Sequence, residues 1–256
     1  MIELAAVEEW LDRLYVAAEG AALRQEERRK AREIAAMLDE IERAATRFSQ
    51  QSSMVLVDAA AGKSYIGLLS AKLVFDPAGR HARVITIERE SARVQASLRA
   101  AQRLETRTAV ECVEADISSA EAWPRQISIV AALHACGPAA DTVIERAIEA
   151  RARCLLLVPC CTSAGMPAVE RAAKRAQAIG IPRHAHVRRR FIQSIVDAER
   201  TLRLETAGYE TEVVEFVSPS VTPQNLLWRA RLVGEEHRMN AAHQALTTLH
   251  QTGTRY

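Results

Sequence analysis

A short apolar segment that ends in an acidic residue and a turn of small residues, running from Val55 to Ser64, constrains this chain most strongly. Its first residues predict a buried strand that stops at Asp58, and an apolar helical pattern resumes after Ser64. A strand of this kind brings its turn to the carboxyl edge of a parallel sheet, where small side chains let the backbone approach a nucleotide-like ligand. We therefore expect this turn to hold the ligand on which function depends.

The composition of the chain restricts its class and its compartment. The 256 residues suffice for one α/β domain with an appendage, and 48% hydrophobic residues can fill a core. A net charge of +2 does not predict nucleic acid as an obligate partner. No N-terminal segment has a signal-peptide layout and no apolar run has the roughly 20 residues that cross a bilayer, so we expect a cytoplasmic protein without a membrane role. The five cysteines are then expected to be reduced thiols.

Strand-like and helical segments alternate from Met54 onward, which predicts a parallel sheet with helices on both faces. The predicted strands comprise residues 54–58, 83–88, 109–113, 127–133, 153–159, 211–217 and 225–233. The predicted helices comprise residues 63–74, 90–103, 138–150, 165–179 and 188–207, with a terminal helix and tail in 235–256. The last two strands are joined by a linker too short for a crossover helix, so they are expected to pair antiparallel. The fold class is therefore α/β, a doubly wound, mainly parallel seven-stranded sheet that ends in an antiparallel strand pair.

Residues 1–49 are predicted to form a helical extension in front of a main domain of residues 50–256. Apolar residues recur at helical spacing in two segments of this extension, which Gly20 separates. Two roles remain open for it: a helical pair that packs against the main domain, or a lid that recruits substrate.

Two familiar ligand classes fit the turn poorly. Lys63 and Ser64 resemble the end of a phosphate-binding loop, but the first glycine of such a loop would fall on Val57, inside the strand. A nicotinamide-binding turn needs a third glycine where Tyr65 stands, and a tyrosine would prevent close packing of helix on strand. We therefore expect neither a nucleoside triphosphate nor a nicotinamide dinucleotide at this turn.

The turn resembles that of class I methyltransferases, in which an acidic residue precedes three alternating glycines. The matching residues are Asp58, Ala60, Gly62 and Ser64, so other small residues replace two of the three glycines. The resemblance implies a Rossmann-like methyltransferase fold and S-adenosylmethionine as cofactor, bound by Asp58, Ala60 and Gly62. An alanine in place of glycine costs about 1 kcal/mol or more where the backbone needs a positive φ, and little elsewhere.

Two acidic residues near the ends of later strands complete the predicted cofactor site. Glu88, at the end of the second strand, is expected to accept both ribose hydroxyls, and Asp116 resembles the residue that meets the adenine amine in this family. Glu88 follows Asp58 by 30 residues, a longer interval than the roughly 20 of dinucleotide folds. Structural roles remain open for both carboxylates: Glu88 facing a helix dipole, and Asp116 capping the segment that contains Ser118.

Two motifs that contain cysteine follow the fourth and fifth predicted strands. They are His134-x-Cys136-Gly137-x-x-x-Asp141 and Pro159-Cys160-Cys161. The motifs resemble a branch of methyltransferase-like proteins that includes transfer-RNA 2′-O-methyltransferases. Where those enzymes have two histidines after the paired cysteines, this chain has Thr162 and Ser163, a departure that bears on the acceptor.

The cysteine motifs predict a methyl-transfer site. If the fourth and fifth strands are neighbours, their carboxyl ends lie about 4.8 Å apart and crowd His134, Cys136 and Cys160 around the methyl donor. We assign these three residues to catalysis, with His134 as a general base. Open alternatives are a hydrogen bond between His134 and either Asp141 or a backbone amide, a nucleophilic thiol at Cys136 or Cys160, and thiols that only pack beneath the pocket. No metal is expected, because adjacent cysteines rarely both reach one zinc ion.

The densest positive segment of the chain runs from residue 183 to residue 190, on the expected substrate side. Its arginines would contact RNA phosphates, although a solvated helix start is the alternative; they are Arg183, Arg188, Arg189 and Arg190. We therefore predict a methyltransferase that moves the methyl group by in-line attack, with an RNA acceptor favoured. The competing hypothesis is a degenerate methyltransferase fold that serves as a scaffold or RNA-binding protein.

Overall fold

The computed structural model describes residues 1–16 and 23–251, so the predicted break at Gly20 and the end of the tail lie outside the described residues. The α-helices are α1 (Leu4–Leu11), α2 (Gln25–Ala45), α3 (Tyr65–Leu69), α4 (Ser91–Arg103), α5 (Pro138–Glu149), α6 (Pro167–Ala178), α7 (Ala185–Thr206) and α8 (Glu236–His250). Short π-helical segments, Asp12–Val16 and Ser70–Phe75, continue α1 and α3. Within the described part of the chain, no helix combines the length and the apolar character that a membrane span requires.

Seven strands form one sheet. They are β1 (Met54–Ala59), β2 (Ala82–Glu88), β3 (Ala109–Glu114), β4 (Ile129–Ala135), β5 (Cys154–Pro159), β6 (Tyr209–Glu215) and β7 (Leu226–Leu232). Their order is β3-β2-β1-β4-β5-β7-β6, in which β7 lies antiparallel between β5 and β6 while β1 to β5 pair in parallel. This confirms the predicted doubly wound sheet and its antiparallel ending. The fourth and fifth strands are neighbours, which is the condition on which the predicted transfer site depends.

Apolar layers cover both faces of the sheet. Consecutive residues of β1 point to opposite faces, so Leu56 packs in one layer and Val57 in the other. Leu38 of α2 shares the layer of Leu56, whereas Ile144 of α5 shares the layer of Val57. The helices before residue 50 therefore supply one side of the core. The domain boundary between residues 49 and 50 stays a prediction.

The observed bounds of two elements near the candidate site differ from the predicted bounds. β4 continues through His134, beyond its predicted end at residue 133, because pairing with Pro159 of β5 resumes after a bulge. Helix α7 begins at Ala185, three residues before its predicted start, so residues 188–190 lie inside its first turns.

Candidate active site at the carboxyl edge of the sheet

The strand order reverses between β1 and β4, and the carboxyl ends of the strands at such a point form the crevice in which open α/β sheets bind ligands. All predicted site residues lie at this edge, although they come from five strands. They are Asp58, Ala60 and Gly62 at β1, Glu88 at β2, Asp116 after β3, His134 and Cys136 at β4, and Cys160 after β5. The topology thus brings the predicted cofactor and transfer residues to one edge.

The turn after β1 has a left-handed backbone at each of the three positions where class I methyltransferases have glycine. The φ angles are 54° at Ala60, 59° at Gly62 and 58° at Ser64. Left-handed geometry costs an L-residue roughly 1–2 kcal/mol, so Ala60 and Ser64 are held there against their preference. The backbone of the turn therefore has, at all three positions, the geometry that glycine adopts without strain, although two of the three residues are not glycine.

Asp58 lies beneath this turn. Its side chain is only 2% exposed, and its Oδ2 accepts a hydrogen bond of 2.8 Å from the amide of Gly67 in α3. Burial raises the pKa of Asp58 to about 8, with a smaller opposing effect from the Gly67 amide and a further rise from the nearby charge of Glu88. A Cβ on Gly67 would lie 2.5 Å from the side chain of Thr86, so only glycine permits this close approach. The hydrogen bond from the Gly67 amide to Asp58 therefore anchors the turn to α3.

Glu88 joins the end of β2 to the turn. Its Oε2 accepts a hydrogen bond of 2.8 Å from the amide of Gly62, and its Oε1 accepts one of 2.9 Å from the amide of Glu90. Each carboxylate oxygen can accept two hydrogen bonds, so each oxygen of Glu88 retains capacity for one ribose hydroxyl. Apart from Gly62 itself and its two chain neighbours, no described residue has an atom within 4 Å of the position that a Cβ on Gly62 would occupy. The residues present therefore fit a nucleoside cofactor beside the turn.

Asp116 forms the turn after β3. Its Oδ1 accepts a hydrogen bond of 2.9 Å from the amide of Ser118, which is the main reason that its pKa is lowered. The charge of Arg89, 3.7 Å away, lowers the pKa further. The capping role that the sequence left open is thus present, and the adenine contact stays a prediction.

His134 is held by a residue that the sequence analysis missed. Its Nε2 lies 2.7 Å from Oε2 of Glu33, a buried carboxylate of α2, and its backbone is left-handed with φ at 62°. A sign was present in the sequence: Glu33 is spaced at helical intervals from Met37 and Ala44, which are buried. A carboxylate on the apolar face of a helix needs a partner, and here the partner is His134.

Asp141, the acidic residue of the first motif, contacts arginine and not His134. Its Oδ1 accepts a hydrogen bond of 3.1 Å from Nε of Arg200, a guanidinium that is 1% exposed on α7. Arg203 lies 3.4 Å from the same oxygen. The motif aspartate therefore ties α5 to α7, and the suggested bond between His134 and Asp141 was wrong.

The cysteines after β4 and β5 are joined. Cys136 and Cys160 form a disulfide with a Cα–Cα distance of 5.2 Å, and Cys161 is a free thiol whose Sγ lies 3.7 Å from that of Cys160. The expectation that all cysteines are reduced was therefore wrong, because the adjacent strand ends bring these two side chains together. Cys136 is also exposed, so it does not pack beneath a pocket. In the disulfide form neither Cys136 nor Cys160 is a nucleophile, and their catalytic assignment stays a prediction.

The N-terminal helices contact the turn after β1 directly. The hydroxyl of Tyr15 donates a hydrogen bond of 2.7 Å to the carbonyl of Lys63, and the Tyr15 ring packs edge-on against Tyr65. The Lys30 ammonium lies 4.4 Å from the centre of the Tyr65 ring. The pKa of Lys30 is lowered, mainly because the ammonium group is buried. The extension therefore contacts the end of the turn, as well as packing on the sheet.

Comparison with known proteins agrees with this architecture. A family model described as a methyltransferase domain matches residues 29–165. A methyltransferase from Podospora anserina, solved with S-adenosylhomocysteine, aligns at a TM-score of 0.50 and 11% identity over 90% of this chain and 87% of its own. A candidate rRNA-methylase from Clostridium thermocellum aligns at 0.51 and 12% identity over 78% of this chain and 97% of its own. No curated protein matches.

The two structural likenesses concern the fold, whereas the family match concerns the sequence. The matched segment exceeds half of the chain and contains Glu33, the turn after β1, Glu88 and both cysteine motifs. The protein therefore belongs to this family of methyltransferase domains and is an enzyme of the S-adenosylmethionine-dependent class.

Proposed function

We propose that this enzyme methylates RNA, with the cofactor across the carboxyl ends of β1 and β2 and the acceptor at the ends of β4 and β5. The observation that carries the proposal is the Glu33–His134 pair beside the crevice where the strand order reverses. A histidine with a buried carboxylate partner at a ligand crevice is the usual arrangement of a general base.

Residues of the turn would hold the cofactor. Glu88 has one free acceptor position on each carboxylate oxygen for the ribose hydroxyls, and the open space at Gly62 admits the nucleoside. Asp116 is the proposed contact for the adenine amine. When bound, S-adenosylmethionine supplies a methyl group already activated on a sulfonium, so the protein has mainly to position the acceptor.

His134 would take the proton that the acceptor loses. If its Nε2–H donates to Glu33, then Nδ1 is left as the unprotonated acceptor of the ring. An acceptor hydroxyl or amine would give its proton to Nδ1 as its oxygen or nitrogen bonds to the methyl carbon, and the bond from that carbon to the sulfonium sulfur would break, which leaves S-adenosylhomocysteine. Glu33 stabilises the resulting imidazolium and keeps the ring in one orientation. Cys136 and Cys160 would line the acceptor side of the same crevice.

Two features support RNA as the acceptor. The cysteine motifs resemble the branch that contains transfer-RNA 2′-O-methyltransferases. In addition, Thr162, which follows β5, lies 3.0 Å from Gln193 of α7, so the start of α7 lies on the carboxyl-edge side. Arg189 and Arg190 in that part of α7 are exposed, as a phosphate contact requires.

Cofactor binding is tested by titrating S-adenosylhomocysteine into wild type, Glu88→Gln and, as a matched control, the exposed neighbour Glu90→Gln. Loss of a charge-assisted ribose contact is worth about 1.5–3 kcal/mol, so Glu88→Gln should bind at least tenfold more weakly. Glu90→Gln should bind like wild type. Absence of binding by wild type, or an unchanged Glu88→Gln affinity, would contradict the proposed cofactor site.

The acceptor is tested with radiolabelled S-adenosylmethionine and cell extract, treated or not treated with RNase. Label that RNase removes supports the proposal, and label that resists RNase contradicts an RNA acceptor. His134→Ala should lose transfer and keep its affinity for S-adenosylhomocysteine. No transfer by a wild type that binds S-adenosylhomocysteine would favour the scaffold alternative.

A further inference from the structure

The edge of the sheet opposite the crevice carries two adjoining cavities. One, of about 560 Å³, lies between the end of α2 and the strands β5, β6 and β7. The other, of about 750 Å³, lies against the start of β1 and the segment before β4. The first cavity opens on the face of the sheet that α2 covers and the second on the opposite face. Arg153, just before β5, lines both, so the two cavities meet at the amino edge of the sheet, and we call them together the amino-edge groove.

The walls of the amino-edge groove are strongly basic. Its arginines are Arg43, Arg47, Arg125, Arg146, Arg151, Arg153, Arg229 and Arg231, and its acidic residues are Glu40, Glu149, Glu210 and Glu212. Eight arginines against four glutamates leave four positive charges in excess, although the whole chain has a net charge of only +2. The remainder of the chain is therefore net acidic, and the positive charge is concentrated at this edge.

Half of these arginines are already engaged by carboxylates. The pairs are Arg43 and Arg229 with Glu40, Arg231 with Glu210, and Arg146 with Glu149. Among the described residues, Arg47, Arg125, Arg151 and Arg153 have no carboxylate partner, and all four are exposed. A cluster of unpaired guanidinium groups repels itself unless an anion binds it, so the groove favours a ligand with several negative charges.

The groove also offers a contact for a flat ring. The guanidinium carbon of Arg153 lies 4.6 Å from the centre of the Phe48 ring, and both residues line the first cavity. Guanidinium groups bind phosphate through paired hydrogen bonds, and guanidinium and aromatic planes stack on bases. Phosphates separated by planar bases, the chemistry of single-stranded RNA, match both features of the wall.

We infer that the amino-edge groove binds the phosphate backbone of a single RNA strand through Arg47, Arg125, Arg151 and Arg153. The inference extends the proposed RNA acceptor: this surface anchors the strand, whereas methyl transfer takes place at the opposite edge. The strands that separate the two edges have six or seven residues, which corresponds to about 20 Å. The groove is therefore a recognition surface distinct from the catalytic crevice.

The test measures fluorescence anisotropy of a labelled oligouridylate with the full chain over a range of salt concentrations. The variant carries Arg47→Gln, Arg125→Gln, Arg151→Gln and Arg153→Gln together. Each lost phosphate contact removes about 0.7 from the slope of log affinity against log salt, so this slope should fall by about 2 to 3. Affinity at moderate salt should fall more than tenfold. Arg99→Gln, an exposed arginine of α4 outside the groove, should leave both values unchanged.

Titration of S-adenosylhomocysteine into the same variants separates this inference from the proposed function. The groove variant should keep wild-type affinity for it, which also shows that the variant is folded. An unchanged salt slope in the groove variant overturns the inference. So does a loss that occurs only in Arg189→Gln/Arg190→Gln, which would place the RNA at the start of α7. Failure of wild type to bind RNA while it binds S-adenosylhomocysteine overturns both RNA proposals and leaves the cofactor site intact.

Discussion

Oε2 of Glu33 on α2 lies 2.7 Å from Nε2 of His134 at the end of β4, so a helix that precedes the sheet holds a side chain in the candidate active-site crevice. The carboxylate is buried and the backbone of His134 is left-handed. Strained backbone at a crevice is retained where the surrounding contacts impose it, and this contact is one of them. We regard Glu33 as a positioning residue for His134.

We predict that Glu33→Gln lowers the rate of methyl transfer at neutral pH by at least about tenfold, since a positioned base contributes about 100-fold or more. The amide cannot stabilise the positive charge that the ring gains in the transition state, so kcat should fall while KM for the acceptor stays near its wild-type value. Affinity for S-adenosylhomocysteine should not change. The matched control is Glu40→Gln, another buried glutamate of α2, which pairs with Arg229 instead. An unchanged kcat in Glu33→Gln, or an equal loss of kcat in Glu40→Gln, would remove the positioning role.

We predict that Ala60→Gly and Ser64→Gly stabilise the protein. Both residues have a positive φ that glycine adopts without strain, so each change should raise the free energy of unfolding by roughly 0.5–1 kcal/mol. The Ser64 hydroxyl is buried without a hydrogen-bond partner among the described residues, so Ser64→Gly should gain at least as much. Urea denaturation measures the effect. Ala61→Gly, in the same turn without a positive φ, should give no gain, and equal gains at all three positions would contradict the prediction.

We predict that Asp58 makes stability depend on pH. Its folded pKa of about 8 exceeds its ordinary value of 3.8, so the folded state binds the proton more tightly. This contribution is present in full below the ordinary pKa and is lost as pH rises to the folded value, with a slope of up to about 1.4 kcal/mol per pH unit. Asp58→Asn should therefore be more stable than wild type at alkaline pH. The check is the free energy of unfolding across this window. Glu111→Gln, an exposed carboxylate of β3, should keep the wild-type dependence.

We predict that Asp141→Ala destabilises the protein by about 3 kcal/mol, because the buried guanidinium of Arg200 loses one of its two carboxylate partners and keeps only Asp197. Arg203→Gln removes a partly exposed partner of the same carboxylate and should cost less than about 1 kcal/mol. Thermal or urea unfolding measures both. An Asp141→Ala variant of wild-type stability that has lost methyl transfer would instead make Asp141 part of the catalytic site.

We predict that three of the five cysteines react with a thiol reagent in denaturant without reductant, and all five after reduction. Cys136→Ser should expose Cys160 as a new reactive thiol, because the disulfide can no longer form. Cys112→Ser should only remove one thiol from the count. If all five thiols react in the unreduced protein, the disulfide is absent and the cysteines are reduced, as the composition predicts.

Local sequence patterns determined much of this fold. Strand and helix periodicity depends on neighbouring residues, so the seven strands, the mainly parallel sheet and the antiparallel pairing of β6 and β7 could be predicted, whereas the order of the strands could not. The acidic residue and small residues from Asp58 to Gly62 likewise indicated the class of cofactor, through their resemblance to the first turn of class I methyltransferases.

Other features depend on contacts between residues far apart in the chain, and only the tertiary structure decided them. Glu33 and His134 are 101 residues apart, and Cys136 is 24 residues from Cys160. The amino-edge groove combines the end of α2 with strands from the last third of the chain. Periodicity does not show which distant residues come into contact, because those contacts depend on how the helices pack on the sheet. The sequence by itself therefore determined the type of fold and the class of enzyme. Only the folded chain decided that Glu33 is the carboxylate that contacts His134, and that the unpaired arginines lie together in the amino-edge groove.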